Sequence, residues 1–269
     1  MEQFFFIGAC VTVGLVAGFL GGLLGIGGGV VIVPALVIML DALDFLAADL
    51  VTPVAVATSL ACVTLTSLSA ALAQLRAGMV EWPIVRQWAA PLVIGSYLAG
   101  WIATALPLAV FRGLIAAFLA FVAFVMLTSW RPAPHRKLPG IAGSALIGGA
   151  GGLISGIAGI GGGNVIVPAL VYFNTPLHRA TATSSTLGVP VALAGLLGYV
   201  SAGMGRDLGP SIWGYVYLPG FVAIVVAAVL AAPLGVHAAR RIEPLPLRRI
   251  FGAVLVLMAA RMLYSAWTG

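Results

Sequence analysis

Residues 25–36 read Gly-Ile-Gly-Gly-Gly-Val-Val-Ile-Val-Pro-Ala-Leu, and residues 159–170 repeat this stretch with Asn164 in the place of Val30. Eleven of the twelve positions are identical, and the copies lie 134 residues apart, which is half of the 269-residue chain. A Gly-rich break that recurs in both halves of an apolar chain is typical of transporters built from two repeats. In such proteins the binding site lies where the two breaks meet.

The composition places the chain in a membrane. Hydrophobic residues make up 62% of the sequence, charged residues make up 7%, and the mean hydropathy is +1.16. Soluble domains carry about 25% charged residues, so this chain could not cover a soluble surface. Its apolar runs are continuous rather than alternating, which favours helices over a β-barrel. We therefore expect an all-α integral membrane protein, a polytopic helical bundle.

Several classes of function are disfavoured by the same residues. The net charge of +6 does not indicate nucleic-acid binding, because most of the cations flank apolar runs and there set topology. Cys10 and Cys62 lie in apolar runs and no His or Cys has metal-ligand spacing, so we expect no metal and no cofactor. The three histidines, His135, His178 and His237, are placed near aqueous faces. The many Ser and Thr hydroxyls in the apolar runs therefore have no evident partner that could act as a base. An intramembrane enzyme is therefore not expected.

Uncharged runs locate the spans. Most have about the length of one span, roughly 20 residues, and these runs are 50–75, 87–111, 113–130, 180–205, 208–239 and 247–267. The runs 3–40 and 138–177 are longer, with 38 and 40 residues, and each contains one copy of the Gly motif. We interpret each long run as a helical hairpin that breaks at a Gly-rich tip. The return helices are expected at about residues 30–40 and 164–173.

Shorter matches keep the same order in both halves. They pair residues 57–59 with 182–184, 77–79 with 202–204, and 106–108 with 245–247. The sequence therefore predicts a single membrane domain of two repeats, at 4–130 and 140–267, joined by a cytoplasmic linker at 131–139. Each repeat comprises one Gly-tipped, broken-helix hairpin and three spanning helices.

The positive charges orient the two repeats. Arg76 and Arg86 flank one loop, and the linker and residues 240–249 carry further cations, so these three loops are expected in the cytoplasm. The neutral turn at Pro107 matches the basic loop at Pro246, so that equivalent loops lie on opposite faces. We therefore expect inverted repeats, with both chain ends outside.

Two hairpins that enter from opposite faces would bring their Gly tips together near the bilayer midplane. Glycine permits close approach of the backbone to a ligand. The return helices begin at the tips, so their N-termini, with free N–H donors and about half a positive charge each, point at the centre. This predicts an anion site without buried Arg or Lys; the alternative is that the glycines serve only close helix packing. The tip residues expected to bind are Gly27, Gly28, Gly29, Gly161, Gly162 and Gly163.

Polar side chains near the tips are further candidates. Hydroxyl groups at matching positions of the two repeats could donate to an oxyanion, or they could bond only to carbonyls of their own helix. These candidates are Thr58, Ser59, Thr183, Ser184 and Ser185. Asn164 at the second tip makes the expected site asymmetric. His178, His237 and Arg261 remain open between structural roles and sensing or attracting charge.

The paired G-x-G-G-G-x-x-x-x-P motif at 25–34 and 159–168, and the Ala-Thr-Ser after each copy, resemble the sulfite exporter TauE/SafE family, also named the 4-toluenesulfonate uptake permease family. The resemblance covers about residues 5–265. It implies an inner-membrane permease for small sulfur oxyanions such as sulfite, sulfoacetate or organosulfonates. The expected partners are then this anion and the lipid bilayer. Trp82, Trp88 and Trp101 leave a homodimer open, since they could be membrane-interface anchors or dimer contacts.

Two mechanisms remain open for such an anion site. In a secondary transporter, one repeat would rock against the other and expose the site alternately to each side. In a passive anion channel, the same Gly tips would form the filter.

Overall fold

The computed structural model describes residues 2–24, 28–43, 46–76, 78–128, 138–206, 208–209, 211–239 and 244–268. Over these ranges the chain forms ten α-helices and one short β-hairpin. The first five helices are α1 (Glu2–Leu24), α2 (Gly29–Leu43), α3 (Ala48–Arg76), α4 (Trp82–Ala105) and α5 (Leu108–Thr128). The others are α6 (Ile141–Ile157), α7 (Gly163–Tyr172), α8 (Leu177–Gly203), α9 (Leu218–Ala239) and α10 (Pro244–Thr268), and strands β1 (Ile212–Trp213) and β2 (Val216–Tyr217) precede α9.

The expected polytopic, all-α membrane fold is confirmed. Seven of the described helices, α1, α3, α4, α5, α8, α9 and α10, are long and apolar enough to cross a membrane. The other three are shorter: α2 has 15 residues, α6 has 17 and α7 has 10. Both long apolar runs break at the Gly motif, so that α1 is followed by α2 and α6 by α7. The return helix α2 continues to Leu43, three residues beyond its expected end.

Three expected spans were wrong in their bounds. The runs 87–111 and 113–130 are replaced by α4 and α5, because Pro83 lies in the first turn of α4 and the two helices meet at the Pro107 turn. Arg112, which separated the two runs in the sequence, therefore lies inside α5 and is buried. The run 208–239 is not one helix either, since β1 and β2 pair across Gly214 and Tyr215. Both of these turn residues have positive φ, as tight hairpins require.

The first helix of each half packs along the fourth helix of the other half. Along α1 and α9, a Cβ on Gly14 would meet Ile224 and one on Gly18 would meet Ala228, so the two helices run parallel. Along α6 and α4, Gly152 lies against Leu92 and Gly156 against Ala99, again in parallel. A Cβ on Gly152 would lie 2.0 Å from the carbonyl oxygen of Leu92. These glycines therefore allow the backbones to approach closely, as small residues do in membrane helices.

The third and fifth helices of the two halves pair with each other in antiparallel directions. Leu60 of α3 lies against Gly195 of α8, whereas Ser67, further along α3, lies near Gly188, earlier on α8. In the other pair, Arg112 near the start of α5 bonds to Ser265 near the end of α10, and Leu127 at the end of α5 meets Gly252. In these two pairs, the corresponding helices thus run in opposite directions.

Candidate functional site

The two Gly tips meet inside the bundle. We define the first tip as residues 25–29, of which 28 and 29 are described, and the second tip as residues 159–163. A Cβ on Gly29 would lie 2.7 Å from the carbonyl oxygen of Gly159 and 2.9 Å from the Ile160 side chain. The same carbonyl accepts a hydrogen bond of 2.8 Å from the buried hydroxyl of Ser59 on α3. A side chain at Gly29 would therefore separate the two tips.

The second tip is shaped by two glycines in the left-handed region. Gly159 has φ +71° and Gly162 has φ +84°. Gly162 caps α7, and its carbonyl oxygen accepts from the N–H groups of Val165 and Ile166. The N–H groups of Gly163 and Asn164, the first two residues of α7, have no intrahelical acceptor, and the helix dipole favours an anion beside them.

A cavity of about 730 Å³ begins at these tips. Gly28 of the first tip and Gly161 and Gly163 of the second tip line it. Its walls are the second halves of α1, α3 and α9 and the first half of α8. It extends to Gln74 near the end of α3, Thr181 near the start of α8 and His237 near the end of α9. The cavity thus occupies one half of the bundle, from the centre to one face.

The two sides of the cavity differ in chemistry. One side carries hydroxyl groups from α3 and α8, which are those of Thr66, Ser67, Ser69, Thr181, Ser184 and Ser185. The other side, from α1 and α9, carries small apolar residues such as Ala17, Ala228 and Ala232. Among the described lining residues, His237 is the one whose side chain can carry a charge near neutral pH. A ligand in the cavity would therefore meet neutral hydrogen-bond donors rather than Lys or Arg.

Ser184 is the clearest polar group without a partner in this cavity. Its residue is 2% exposed, and its hydroxyl has no hydrogen-bond partner. The neighbouring Ser185 differs, because its hydroxyl donates to the carbonyl of Thr181. The amide nitrogen of Asn164, in the first turn of α7, is also buried without a partner. Buried polar groups are normally paired, so both groups have a donor that is free for a ligand, although Asn164 is not among the residues that line the cavity.

The other predicted hydroxyls lie away from the cavity. Thr58 on α3 accepts a 3.0 Å hydrogen bond from the N–H of Tyr217, just before α9. At the matching position on α8, Thr183 accepts a 3.0 Å hydrogen bond from the N–H of Glu81, just before α4. Each threonine therefore ties the third helix of one half to the start of the fourth helix of the other half. Ser59 holds the second tip rather than lining the cavity.

The twelve predicted residues thus fall into three groups. Those that line the cavity are Gly28, Gly161, Gly163, Ser184 and Ser185. Those that shape or contact the tips are Gly29, Ser59, Gly162 and Asn164. Thr58 and Thr183 join helices, and Gly27 lies outside the described residues. Anion binding by any of these residues remains a prediction.

Most of the residues of α3 that line the cavity were not predicted from the sequence. Thr66, Ser67, Ala70, Ala73 and Gln74 line the cavity, and their spacing of three and four residues is that of one helix face. This stripe of small and polar residues was the available signal. It was obscured because the first half of α3 is buried on all sides, from Val51 to Val63.

The face at which the cavity ends carries positive charge. Arg76 lies in the last turn of α3. Arg179, near the start of α8, forms an ion pair of 2.5 Å with Glu81. Helix α9 also ends at this face, at Ala239, and Arg240 and Arg241 follow it in the sequence.

The opposite half of the bundle is packed. Val54 and Val56, in the first half of α3, are fully buried there. Towards its face, Arg112 of α5 is 3% exposed and pairs with Asp41 of α2 at 2.7 Å. The guanidinium also donates to Thr52 of α3 and Ser265 of α10. Four helices are therefore joined through one side chain on the side away from the cavity.

Comparison with known proteins shows similarity along nearly the whole chain. The family model described as sulfite exporter TauE/SafE matches residues 10–262. A probable membrane transporter protein of Haemophilus influenzae is 31% identical over 97% of this chain and 99% of its own length. A probable membrane transporter protein of Methanocaldococcus jannaschii is 30% identical over 94% of both chains. A third relative, the probable membrane transporter protein YunE of Bacillus subtilis, is 27% identical over 95% of this chain and 96% of its own. No solved structure shows a significant match.

Proposed function

The chain belongs to the sulfite exporter TauE/SafE family of membrane transporters, and we propose that it is a secondary transporter for small sulfur-containing oxyanions. Sulfite, sulfoacetate and organosulfonates are the substrates in view, and the cell inner membrane is the proposed location. The observation that carries this proposal is the unpartnered hydroxyl of Ser184, which is buried in a cavity lined by both Gly tips.

An oxyanion would satisfy the groups that are unpaired at the second tip. Its oxygens can accept from the Ser184 hydroxyl and from the free N–H groups at the start of α7. The positive end of the α7 dipole would offset part of the cost of removing the anion from water. The Asn164 amide lies beside these groups in the first turn of α7. These neutral donors and the helix dipole would thus hold the anion without a buried Lys or Arg.

The directions of the helices support alternating access by two inverted repeats. The third helices, α3 and α8, are antiparallel, and so are the fifth helices, α5 and α10. Inverted repeats of this kind expose a midplane site to one side at a time. The cavity reaches one face only, while the other half is packed around Val54 and Val56. A carrier in one of its two states accounts for this better than a continuous anion channel.

The positive charges orient this state. Arg76 and Arg179 lie at the face that the cavity reaches, and such residues mark the cytoplasmic side. The cavity then opens inward, and both chain ends lie outside. If the two repeats exchanged their conformations in a rocking motion, this cavity would close. An equivalent cavity would then open through the half of the bundle that is packed here.

Counterflow in proteoliposomes tests the proposed function. Vesicles are loaded with unlabelled sulfite or methanesulfonate, and uptake of the same labelled anion from outside is followed against empty vesicles. A carrier gives transient accumulation of label, because exchange is faster than net flux. Flux without counterflow would favour the channel. No flux of either anion would contradict the proposed substrate class.

A further inference from the structure

His237 differs from the other described residues that line the cavity, because its side chain can carry a charge near neutral pH. It lies in the last turn of α9, is exposed, and lines the cavity at the end away from the Gly tips. The lining residues around it, Gln74 on α3 and Thr181 on α8, are polar but neutral. An anion that enters the cavity therefore passes an imidazole before it reaches the hydroxyl groups and the tips.

Among the described residues, few other charges lie on the elements packed against α9; Arg240 and Arg241, which follow α9 in the sequence, lie outside the described residues. On α1 the only charged residue is Glu2, at the opposite end. On α3 these are Asp49 at the opposite end and Arg76 in the last turn. Strand β2 brings Tyr217, which precedes α9 at its far end, and α9 holds no other charged residue. Across the cavity, α8 brings His178 and Arg179, and Arg179 is paired with Glu81.

We propose that protonated His237 is the cationic entry group of this transporter, which draws the anion into an otherwise uncharged cavity. This inference rests on the proposed function, because it concerns how the same cavity is loaded. The C-terminus of α9 carries the negative end of a helix dipole, which favours a cation in the last turn. Imidazole is the side chain that ordinarily changes charge between about pH 5 and pH 8. Anion loading should therefore increase as the pH falls.

The expected pH dependence has a defined direction. Protonated imidazole attracts the anion and neutral imidazole does not, so the apparent KM should be lower at the acidic end. Because His237 is exposed, added salt should weaken this effect by screening. The tip groups are not titratable in this range, so kcat should change less than KM.

The test measures methanesulfonate counterflow with the same pH on both sides of the vesicle membrane. Equal pH removes any dependence on protein orientation. Methanesulfonate is the anion of a strong acid and keeps one negative charge throughout, so the substrate does not titrate. Wild-type protein should show a several-fold rise in flux at limiting substrate from about pH 8 to about pH 6.

Three variants identify the residue responsible. His237→Gln should have a flat pH profile near the wild-type rate at pH 8, and His237→Arg a flat profile near the rate at pH 6. His178→Gln is the matched control, since His178 is exposed near the same face but is not among the residues that line the cavity. It should keep the wild-type profile. Two substitutions at one position keep the test valid if either one fails to insert.

Each contrary result has one meaning. Wild-type flux that is independent of pH would overturn the role of His237 and leave the proposed transport function intact. A pH profile that survives in both His237 variants, or disappears in His178→Gln, would also overturn it. If neither methanesulfonate nor sulfite is transported at any pH, the proposed function fails, and the inference fails with it.

Discussion

The hydroxyl of Ser59 donates a hydrogen bond of 2.8 Å to the carbonyl oxygen of Gly159, 100 residues further along the chain. Ser59 lies on α3 in the first half, and Gly159 lies in the second tip, where its φ is +71°. One buried side chain therefore fixes the tip of the opposite half against the helix that crosses the centre. The matching residue on α8, Ser184, makes no such bond and lines the cavity instead.

Ser59→Ala should weaken both the fold and the site. The substitution leaves the Gly159 carbonyl without its donor, which costs about 1 kcal/mol for a hydrogen bond inside a membrane protein. If the tip shifts, anion affinity should fall about fivefold for the same free energy. Thermal unfolding in detergent and the KM for counterflow measure the two effects.

Thr64→Ala on the same helix is the control for Ser59. The Thr64 hydroxyl bonds to the carbonyl of Leu60 within α3, so its loss should leave the KM unchanged. An equal rise in KM for both variants would mean that Ser59 acts through α3 in general and not through the second tip.

Gly162→Ala should reduce transport more than its cost in stability explains. A residue with a side chain in the left-handed region costs about 1–2 kcal/mol, and the new Cβ would lie 2.7 Å from the end of the Ile166 side chain. Because Gly162 caps α7, a shift here would move the free N–H groups that are proposed to bind the anion. Counterflow rate and unfolding temperature should be measured together.

Gly205→Ala is the matched control for the backbone strain that Gly162→Ala introduces. Gly205 has φ +83°, almost the value of Gly162, and a Cβ there meets nothing within 4 Å. Both variants should lose similar stability, while Gly205→Ala should keep its counterflow rate. Loss of transport in both would show that stability alone limits the activity.

Much of the fold was predictable because its signals are local. Apolar runs gave the helices, and the repeated Gly motif gave the two broken hairpins, because each of the two runs that contain it is too long for one span. Glycine content alone was not the signal, since Gly148, Gly149, Gly151 and Gly152 lie inside α6. The predicted ends of the spans were wrong where a residue distant in the sequence determines them. Arg112 lies inside α5 because Asp41, 71 residues earlier, neutralises it, and no local pattern shows that pairing.

The site was predicted in part for the same reason. The sequence pointed to the tips and to Ser184 and Ser185, which line the cavity. It did not distinguish Ser59 and Thr58 from these residues, because all are hydroxyl groups at matching positions in buried helices. Only the positions of Gly159 and Tyr217 show that Ser59 and Thr58 are already bonded.

Ser184→Ala should reduce anion binding without destabilising the protein. The hydroxyl has no partner in the folded protein, so its removal leaves no other group unpaired. The loss of one hydrogen bond to an anion, about 1.5 kcal/mol or slightly more, should raise the KM roughly tenfold. The measurement is counterflow over a range of methanesulfonate concentrations.

Ser185→Ala is the matched control, since the Ser185 hydroxyl already donates to Thr181. It should change the KM less than Ser184→Ala does. If Ser184→Ala leaves the KM unchanged, the unpartnered hydroxyl is not part of the anion site.

Arg112→Met should be the most destabilising of these substitutions. The guanidinium joins α5 to Asp41 of α2, Thr52 of α3 and Ser265 of α10. Removal of one member of a buried ion pair costs about 3–5 kcal/mol, because the other charge stays behind without a partner. The Asp41 side chain is 26% exposed, so water would solvate part of its charge and the lower end of this range is expected. The double variant with Asp41→Asn removes both charges and should regain part of this loss. Unfolding temperatures of wild type, both single variants and the double variant form a cycle that measures the coupling. Arg112→Lys should not restore full stability, since an ammonium cannot reproduce the three-way contact of the guanidinium. Strict additivity of the two single substitutions would show that the pair does not stabilise the closed half of the bundle.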